Sequence, residues 1–318
     1  MNLLDKTKQL CAVYNIKPVR SKGQNFLVNE EIYDKIVEAA DLHEDDVVLE
    51  VGPGLGFLTS KLAKKVKRVI AVELDDKLAE VLQTGLKAQG VKNVEVRNQN
   101  ILDTVILNTF ASFSAGSAER SEESIIDPSP AKCGVRMTGE YKIVANLPYN
   151  ITSIFLRKFL SSEIRPNSMV LMLQKEVAER ICASPREIPT ESRSAERISR
   201  GRPGEMSLLS VSVQFYALPE VVDYVQADCF WPRPEVDSAI IKLKTKNEKL
   251  KINEKDFFRL VKIGFSARRK MLKNNLSAGY RIDQKNIAEK IKSAGLSENC
   301  RAQELSVDDW LKLFSLFR

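Results

Sequence analysis

The chain reads as an α/β fold, a parallel sheet flanked by helices, followed by a small all-helical C-terminal domain. Three observations predict this. Between residues 30 and 97, short apolar runs alternate with stretches of helical spacing, the pattern of strands joined by crossover helices. The first run leads directly into a glycine-rich turn, Glu50-Val51-Gly52-Pro53-Gly54-Leu55-Gly56. Beyond Lys246 the apolar spacing is helical to the end, with Phe257, Phe258, Val261 and Phe265 on one face.

A basic arm comes first, with Lys17, Arg20 and Lys22 ahead of Gly23-Gln24-Asn25-Phe26-Leu27. Glu30 to Ala40 is predicted helical because Ile32, Ile36, Val37 and Ala40 share a side. Val47 to Val51 is short and apolar, hence a buried strand. Phe57 to Lys65 is the helix after the glycine turn. Val69 to Leu74 is a second strand, with Glu73 at its end, and Asp76 to Gln89 the next helix. Val94 to Arg97 is a third strand, followed by Gln99-Asn100. The stretches 111–139 and 184–205 carry few apolar residues, so neither buries enough surface to offset ordering entropy. Both are expected to be surface insertions, and mobile. Strands resume at Tyr141 to Ala145, Ser168 to Leu173, Leu209 to Tyr216 and Ala239 to Leu243, with a helix at Lys175 to Cys182. The alternation of Val211, Val213 and Phe215 is what marks 209–216 as a strand. The domain boundary is expected near 247.

The 318 residues suffice for one large or two ordinary domains, and 43% are apolar. No run is long and apolar enough for a membrane span, and Met1 to Tyr14 lacks the apolar core of a signal peptide. Five scattered cysteines give neither a disulfide framework nor a metal site, so a reducing cytoplasm is expected. Residues 248–318 hold 16 Lys/Arg against 9 Asp/Glu, and this accounts for the whole net charge of +7. The excess marks a C-terminal module that meets a polyanion, or else a solvated helical face. Arg268, Arg269 and Lys270 are expected in one helix of it.

Two motifs carry chemistry. Gly52, Gly54 and Gly56 let the backbone approach a ligand, and Glu73, 21 residues after Gly52, can accept from both ribose hydroxyls of a nucleoside. A dinucleotide site has similar parts in different spacing, and a ligand-free tight turn is the plain alternative. Asn100 is placed to meet an adenine, or simply forms a turn. The second motif, Asn146-Leu147-Pro148-Tyr149, suits a flat base bearing an exocyclic amine. The Asn146 side-chain oxygen and the Leu147 carbonyl can both accept from the amine and localise its lone pair. Pro148 fixes the turn without adding a donor, and Tyr149 offers a stacking face. An ordinary Asn-x-Pro turn is the alternative. Phe230 is either a second aromatic wall or core packing at a strand entry. With one histidine, His43, and no cluster of ligands, no metal and no Ser-His-Asp set is expected.

Several stretches together resemble one family. They are Lys22 to Leu27, the Glu50 to Gly56 turn, Asn146-Leu147-Pro148-Tyr149-Asn150-Ile151, Leu173 to Val177, Phe230 to Ser238, and Phe265-Ser266-Ala267-Arg268-Arg269-Lys270. In this order they are similar to the small-subunit (16S) ribosomal RNA adenine N6,N6-dimethyltransferases. The resemblance implies a Rossmann-like S-adenosylmethionine-dependent methyltransferase domain over 1–247 and a helical, basic RNA-binding domain over 248–318. It implies dimethylation of two adjacent adenines in the 3′-terminal hairpin loop of small-subunit RNA, late in subunit assembly, by a cytoplasmic monomer with no membrane association. By position, Asn25, Leu27, Gly52, Gly54, Glu73, Asn100 and Asn146 would contact the cofactor. Asn146, Leu147, Pro148, Tyr149 and Phe230 would handle the target base, and Arg20, Lys22, Arg268, Arg269 and Lys270 the RNA.

Two departures stand out. Asn100 replaces the family's usual Asp, which predicts weaker cofactor binding. Ser207-Leu208-Leu209-Ser210-Val211 replaces Tyr-Gly-Leu-Ser-Val, altering a loop with a bearing on RNA contact. The rival readings are the related large-subunit adenine methyltransferase of macrolide resistance and a noncatalytic RNA-binding assembly factor on the same fold. Asp237-Ser238 and the Arg268 to Leu276 stretch weigh against the first, and the intact motifs against the second.

Overall fold

The structure is a computed structural model that describes residues 1–19, 23–108, 134–137, 140–185, 205–246 and 250–317. Its first elements are α1 (Leu3–Val13), β1 (Phe26–Leu27), α2 (Glu30–Ala39), β2 (Val47–Val51), α3 (Phe57–Leu62), β3 (Arg68–Glu73), α4 (Asp76–Ala88) and β4 (Val94–Asn98). Then come β5 (Val105–Asn108), β6 (Gly134–Met137), β7 (Lys142–Asn146), α5 (Thr152–Leu160), β8 (Ser168–Gln174), α6 (Lys175–Ile181) and α7 (Leu208–Tyr216). The last are β9 (Ala217–Val225), β10 (Phe230–Trp231), β11 (Ser238–Thr245), α8 (Glu254–Gly264), α9 (Leu272–Tyr280), α10 (Gln284–Ser293) and α11 (Val307–Ser315). No described helix is long and apolar enough to cross a membrane.

The chain divides into two compact units, 1–173 with 225–242, and 174–224 with 243–318. This division and the expected boundary near 247 differ over 174–224 and 243–247, and both keep the C-terminal helices in one body.

The first unit is built on the sheet order β4-β3-β2-β7-β8-β11. Strands β4, β3, β2, β7 and β8 pair in parallel. Strands β3, β2, β7 and β8 are near-continuous apolar runs because helices cover both faces; Val48, Leu49, Val69, Ile70, Ile143, Val144, Met169 and Leu171 are all fully buried. The chain leaves β2 toward β3 on one side, and β7 closes on the other. That arrangement is the switch point where open α/β sheets bind ligands at the carboxyl ends of their strands. The fold is the expected Rossmann-like one.

The parallel register fixes what reaches that end. Val51 stands opposite Val72 of β3 and Ala145 of β7. The next residue on each strand is therefore Gly52, Glu73 or Asn146, three residues from distant parts of the sequence at one level. A short antiparallel ladder, Phe26 with Trp231 and Leu27 with Phe230, ties the arm to the Pro-rich link.

The second unit corrects one element. Leu208–Tyr216 is a helix, not the predicted strand. Ser207 caps it in a reciprocal box with Ser210. The Ser210 hydroxyl donates to the Arg180 carbonyl at 2.6 Å, and the Gln214 amide donates to the carbonyls of Ile181 and Ala183. Those bonds satisfy the end of α6, and the apolar alternation is incidental to a segment buried on more than one side. The strand lies next, in β9, where Pro219 is tolerated because β9 ends the sheet order. Gly134–Met137 is also a strand, paired in parallel with β5, although it falls within the stretch expected to be an insertion. Of the expected insertions 111–139 and 184–205, residues 111–133, 138–139 and 186–204 lie outside the described residues. The core of the C-terminal helices is aromatic. Phe257 stacks on Phe215 at 4.8 Å between centroids, and Trp310 is fully buried.

Candidate active site

At the carboxyl ends of β2, β3 and β7 lies a cavity of about 130 Å³. The arm contributes Gly23 to Leu27, the glycine turn Gly52 to Leu55, β3 and its turn Glu73 to Asp75, and the turn after β7 Asn146 to Tyr149. The arm lies over the last of these: a Cβ on Gly23 would sit 3.3 Å from the Pro148 Cβ.

The glycine turn is shaped for close approach. Gly54 has a φ of +57°, and its N–H donates to the Glu73 Oε2 at 3.1 Å. A Cβ there would press on the Phe26 ring at 3.3 Å. At Gly56, which opens α3 with a φ of +81°, a Cβ would meet the Leu82 Cδ1 at 2.4 Å. Any side chain there would be strained at that φ and would displace the Leu82 side chain of α4.

Glu73 is 7% exposed. Its Oε1 accepts from the Asp75 N–H at 3.0 Å while Oε2 takes the Gly54 N–H. Burial raises its pKa from the ordinary carboxylate range, opposed by those backbone donors. The carboxylate is thus aimed by main chain from both flanking turns, with acceptor capacity left over. Asp75 caps α4 and accepts from the Gln24 amide at 3.3 Å, which links the arm to this corner.

Glu50 belongs to this site although motif reasoning gives it no role. It is 1% exposed, lines the cavity, and among the described residues neither carboxylate oxygen makes a hydrogen bond of full geometry. Burial pushes its carboxyl up to about 8, the Thr59 hydroxyl opposes this, and the Glu73 charge adds to it. A sequence signal exists: Glu50 is the one charged residue in the apolar run Val47–Val51.

The turn Asn146 to Tyr149 is held at several points. The Leu147 N–H donates to the Met172 carbonyl at 3.3 Å and the Ile151 N–H to the Pro148 carbonyl at 3.2 Å. The Tyr149 hydroxyl and the Ser238 Oγ lie 2.8 Å apart, joining the turn to the start of β11. Burial raises the pKa of the Tyr149 phenol, with Ser238 opposing.

Asn25, Leu27, Gly52, Gly54, Glu73, Asn146, Leu147, Pro148 and Tyr149 therefore come together. Asn100 and Phe230 are not brought to the cavity wall. Glu73 is level with Asn98, and Asn100 lies two residues beyond, its Oδ1 accepting from the Leu102 N–H at 3.0 Å. Phe230 is 4% exposed and packs in the core with Leu27, Tyr33 and Val225. In the second unit Arg268, Arg269 and Lys270 are exposed, and they lie in the turn between α8 and α9, not within a helix. The Asn275 amide makes that break by donating to the carbonyls of Gly264 and Ala267. Arg20 and Lys22 lie outside the described residues.

Residues 17–318 match the family described as ribosomal RNA adenine dimethylase. The chain belongs to the ribosomal RNA adenine dimethylase family. It is 38% identical to "Ribosomal RNA small subunit methyltransferase A" of Dehalococcoides mccartyi strain CBDB1, over 98% of this chain and 92% of that one. Among solved structures it is similar to a dimethyladenosine transferase from Plasmodium falciparum. That match has a TM-score of 0.64 at 24% identity, over 90% of this chain and 94% of the other. It is also similar to the 23S rRNA methyltransferase ErmE, with a TM-score of 0.63 at 25% identity, over 92% and 99%. As a dimethylase-family enzyme it uses S-adenosylmethionine as methyl donor to ribosomal RNA adenine. The cavity fits such a cofactor: a main-chain cradle at Gly52 to Gly54, an aimed carboxylate at Glu73, and a buried acid at Glu50.

Proposed function

We propose that this dimethylase methylates N6 of two adjacent adenines in the 3′-terminal hairpin loop of small-subunit ribosomal RNA, acting in the cytoplasm, as a monomer, on the immature subunit. One observation carries the reading. Parallel register sets Gly52, Glu73 and Asn146 at one level around a single cavity, so a nucleoside at the first two lies beside a base at the third. The small subunit is chosen because relatives across nearly the whole chain bear that name.

In this reading Glu73 accepts from the ribose hydroxyls, and Gly52, Gly54, Asn25 and Leu27 line the cofactor. The bound cofactor supplies an activated methyl carbon. Asn146 Oδ1 and the Leu147 carbonyl accept from the target amine, so its lone pair is localised and directed. Tyr149 stacks on the base. Pro148 and the Gly23 contact hold the turn rigid. Held by Asn146 and Leu147, the amine would face the methyl group that the cofactor would supply. Positioning and charge placement carry the catalysis. Phe230 serves by supporting Leu27 through the β1–β10 ladder. Arg20, Lys22, Arg268, Arg269 and Lys270 hold RNA phosphates.

The test is to incubate the protein and labelled cofactor with immature small subunits and with large subunits, then map the methylated adenines. Dimethylation of two adjacent small-subunit adenines, abolished by Asn146→Ala at saturating cofactor, is the expected result. Label in large-subunit RNA alone would overturn the substrate assignment. Equal labelling by Asn146→Ala would overturn the mechanism.

A further inference from the structure

Glu50 has no part in the methyl-transfer steps above, yet its burial is a physical problem. Its carboxyl lines the cavity, 1% exposed, and among the described residues neither oxygen makes a hydrogen bond of full geometry. The Thr59 hydroxyl of α3, also buried, is the one donor beside it and opposes the rise, without meeting full hydrogen-bond geometry. The flanking strand residues in register with Glu50, Ala71 and Val144, are apolar. Its titratable neighbours are Glu73 at the end of β3 and the Tyr33 phenol of α2, itself faced by Glu30. None of these is a cation. The Tyr33 hydroxyl already donates to the Leu27 carbonyl, at 3.1 Å. For a buried carboxyl faced by one hydroxyl and a like charge, burial and repulsion outweigh that hydroxyl, so it holds a proton until a positive charge arrives.

We propose that Glu50 is the cavity's receptor for a positive charge of the cofactor, and that it releases its proton as that charge enters. The cofactor carries two organic cations, a sulfonium and an ammonium, and either meets the requirement. The burial that pushes Glu50 up to about 8 supports this. The sign follows. Below that value the unliganded protein binds one proton more than the complex, so cofactor affinity rises with pH by roughly tenfold per unit and levels off above it. Glu50 is then a specificity determinant: it favours a cationic nucleoside over a neutral one of the same shape.

The inference rests on the assignment of this cavity to the cofactor, and one titration separates the two. S-adenosylmethionine is titrated calorimetrically into the full chain at pH 7, in two buffers of different ionisation enthalpy. Wild type should release roughly one proton more than Glu50→Gln on binding, and the affinity of Glu50→Gln should lose the pH slope. Equal proton release with intact binding overturns the role of Glu50 alone, whereas no binding at all overturns the cavity assignment. Infrared difference spectra of wild type provide a check independent of any variant. Cofactor addition should remove a protonated-carboxyl band, and a persisting band counts against the proposal. Repeating the calorimetry with the thioether product, which keeps the ammonium and lacks the sulfonium, names the cation. Release retained assigns the ammonium, and release lost assigns the sulfonium.

Discussion

Tyr149 carries two uses on one side chain. Its ring faces the cavity, and its hydroxyl is fixed 2.8 Å from Ser238. A stacking role by itself would need only the ring and leave Tyr149→Phe nearly silent. The bond to a fully buried serine argues otherwise, because removing the phenol leaves that hydroxyl without its partner. Tyr149→Phe and Ser238→Ala should each slow single-turnover methyl transfer by about 0.5–1.5 kcal/mol. The double variant should be no slower than either, since both break one bond; additive losses would refute the coupling. Glu50 offers a stability test. Its folded-state value, about 8, is above that of an unfolded glutamate, so its contribution is fully present at low pH and is lost as pH rises through 8. Glu50→Gln should therefore gain stability over wild type between pH 5 and 8 in urea melts of the unliganded protein, and a constant difference would contradict it. Glu73 and Asn146 were legible because strand ends beside a glycine turn are where ligands sit. Glu50 was visible only as a charge in an apolar strand and Ser238 only within a family stretch, because their meaning lies in the neighbours they face, which the sequence does not record.

Helix α7 shows where local pattern misleads. Val211, Val213 and Phe215 alternate like a strand, yet Val211 and Phe215 are also one helical turn apart, and the Ser207–Ser210 box settles the choice. The cap occupies the stretch that departs from the resembled family, so what reads as an altered loop is a helix start. Ser207→Ala should cost about 1 kcal/mol, read as a lower urea midpoint, and an unchanged midpoint would mean that the cap is not needed. Strands β2, β3, β4, β7 and β8 were legible as short, largely apolar runs between helical stretches, whereas β5 and β6, which pair with each other beside an apolar-poor stretch, were not. The two-residue strands β1 and β10 were not, because pairing across some 200 residues leaves no local trace. The break after α8 was hidden for a similar reason: Asn275 reaches back to Gly264 and Ala267 to end the helix.

At the scale of the whole molecule, charge and chain path each make a prediction. The net charge lies wholly in residues 248–318, and Arg268, with a side chain 71% exposed, has among the described residues a long contact with Glu205 at 3.7 Å. Such exposed pairs contribute little, so these cations remain open to phosphates. Replacing Arg268, Arg269 and Lys270 by alanine should weaken RNA binding and flatten its log–log salt dependence by roughly 0.7–0.9 for each phosphate no longer neutralised. An unchanged slope would remove the turn from the RNA surface. Charge placement and the helical C-terminus were legible from composition, whereas the assignment of 174–224 to the second unit was not, because it depends on packing between distant segments. The path itself bears on how the protein is made. The chain leaves the first unit at 173 and returns only at 225. During synthesis β8, an apolar strand of Ser-Met-Val-Leu-Met-Leu-Gln, emerges with β7 on one side and waits for β11 on the other. Nascent chains arrested with 224 residues outside the ribosome should be cut readily by protease and captured by chaperones at that open edge. Chains arrested once β11 has emerged should resist both. The enzyme's first unit thus closes late, after most of the polypeptide has been translated.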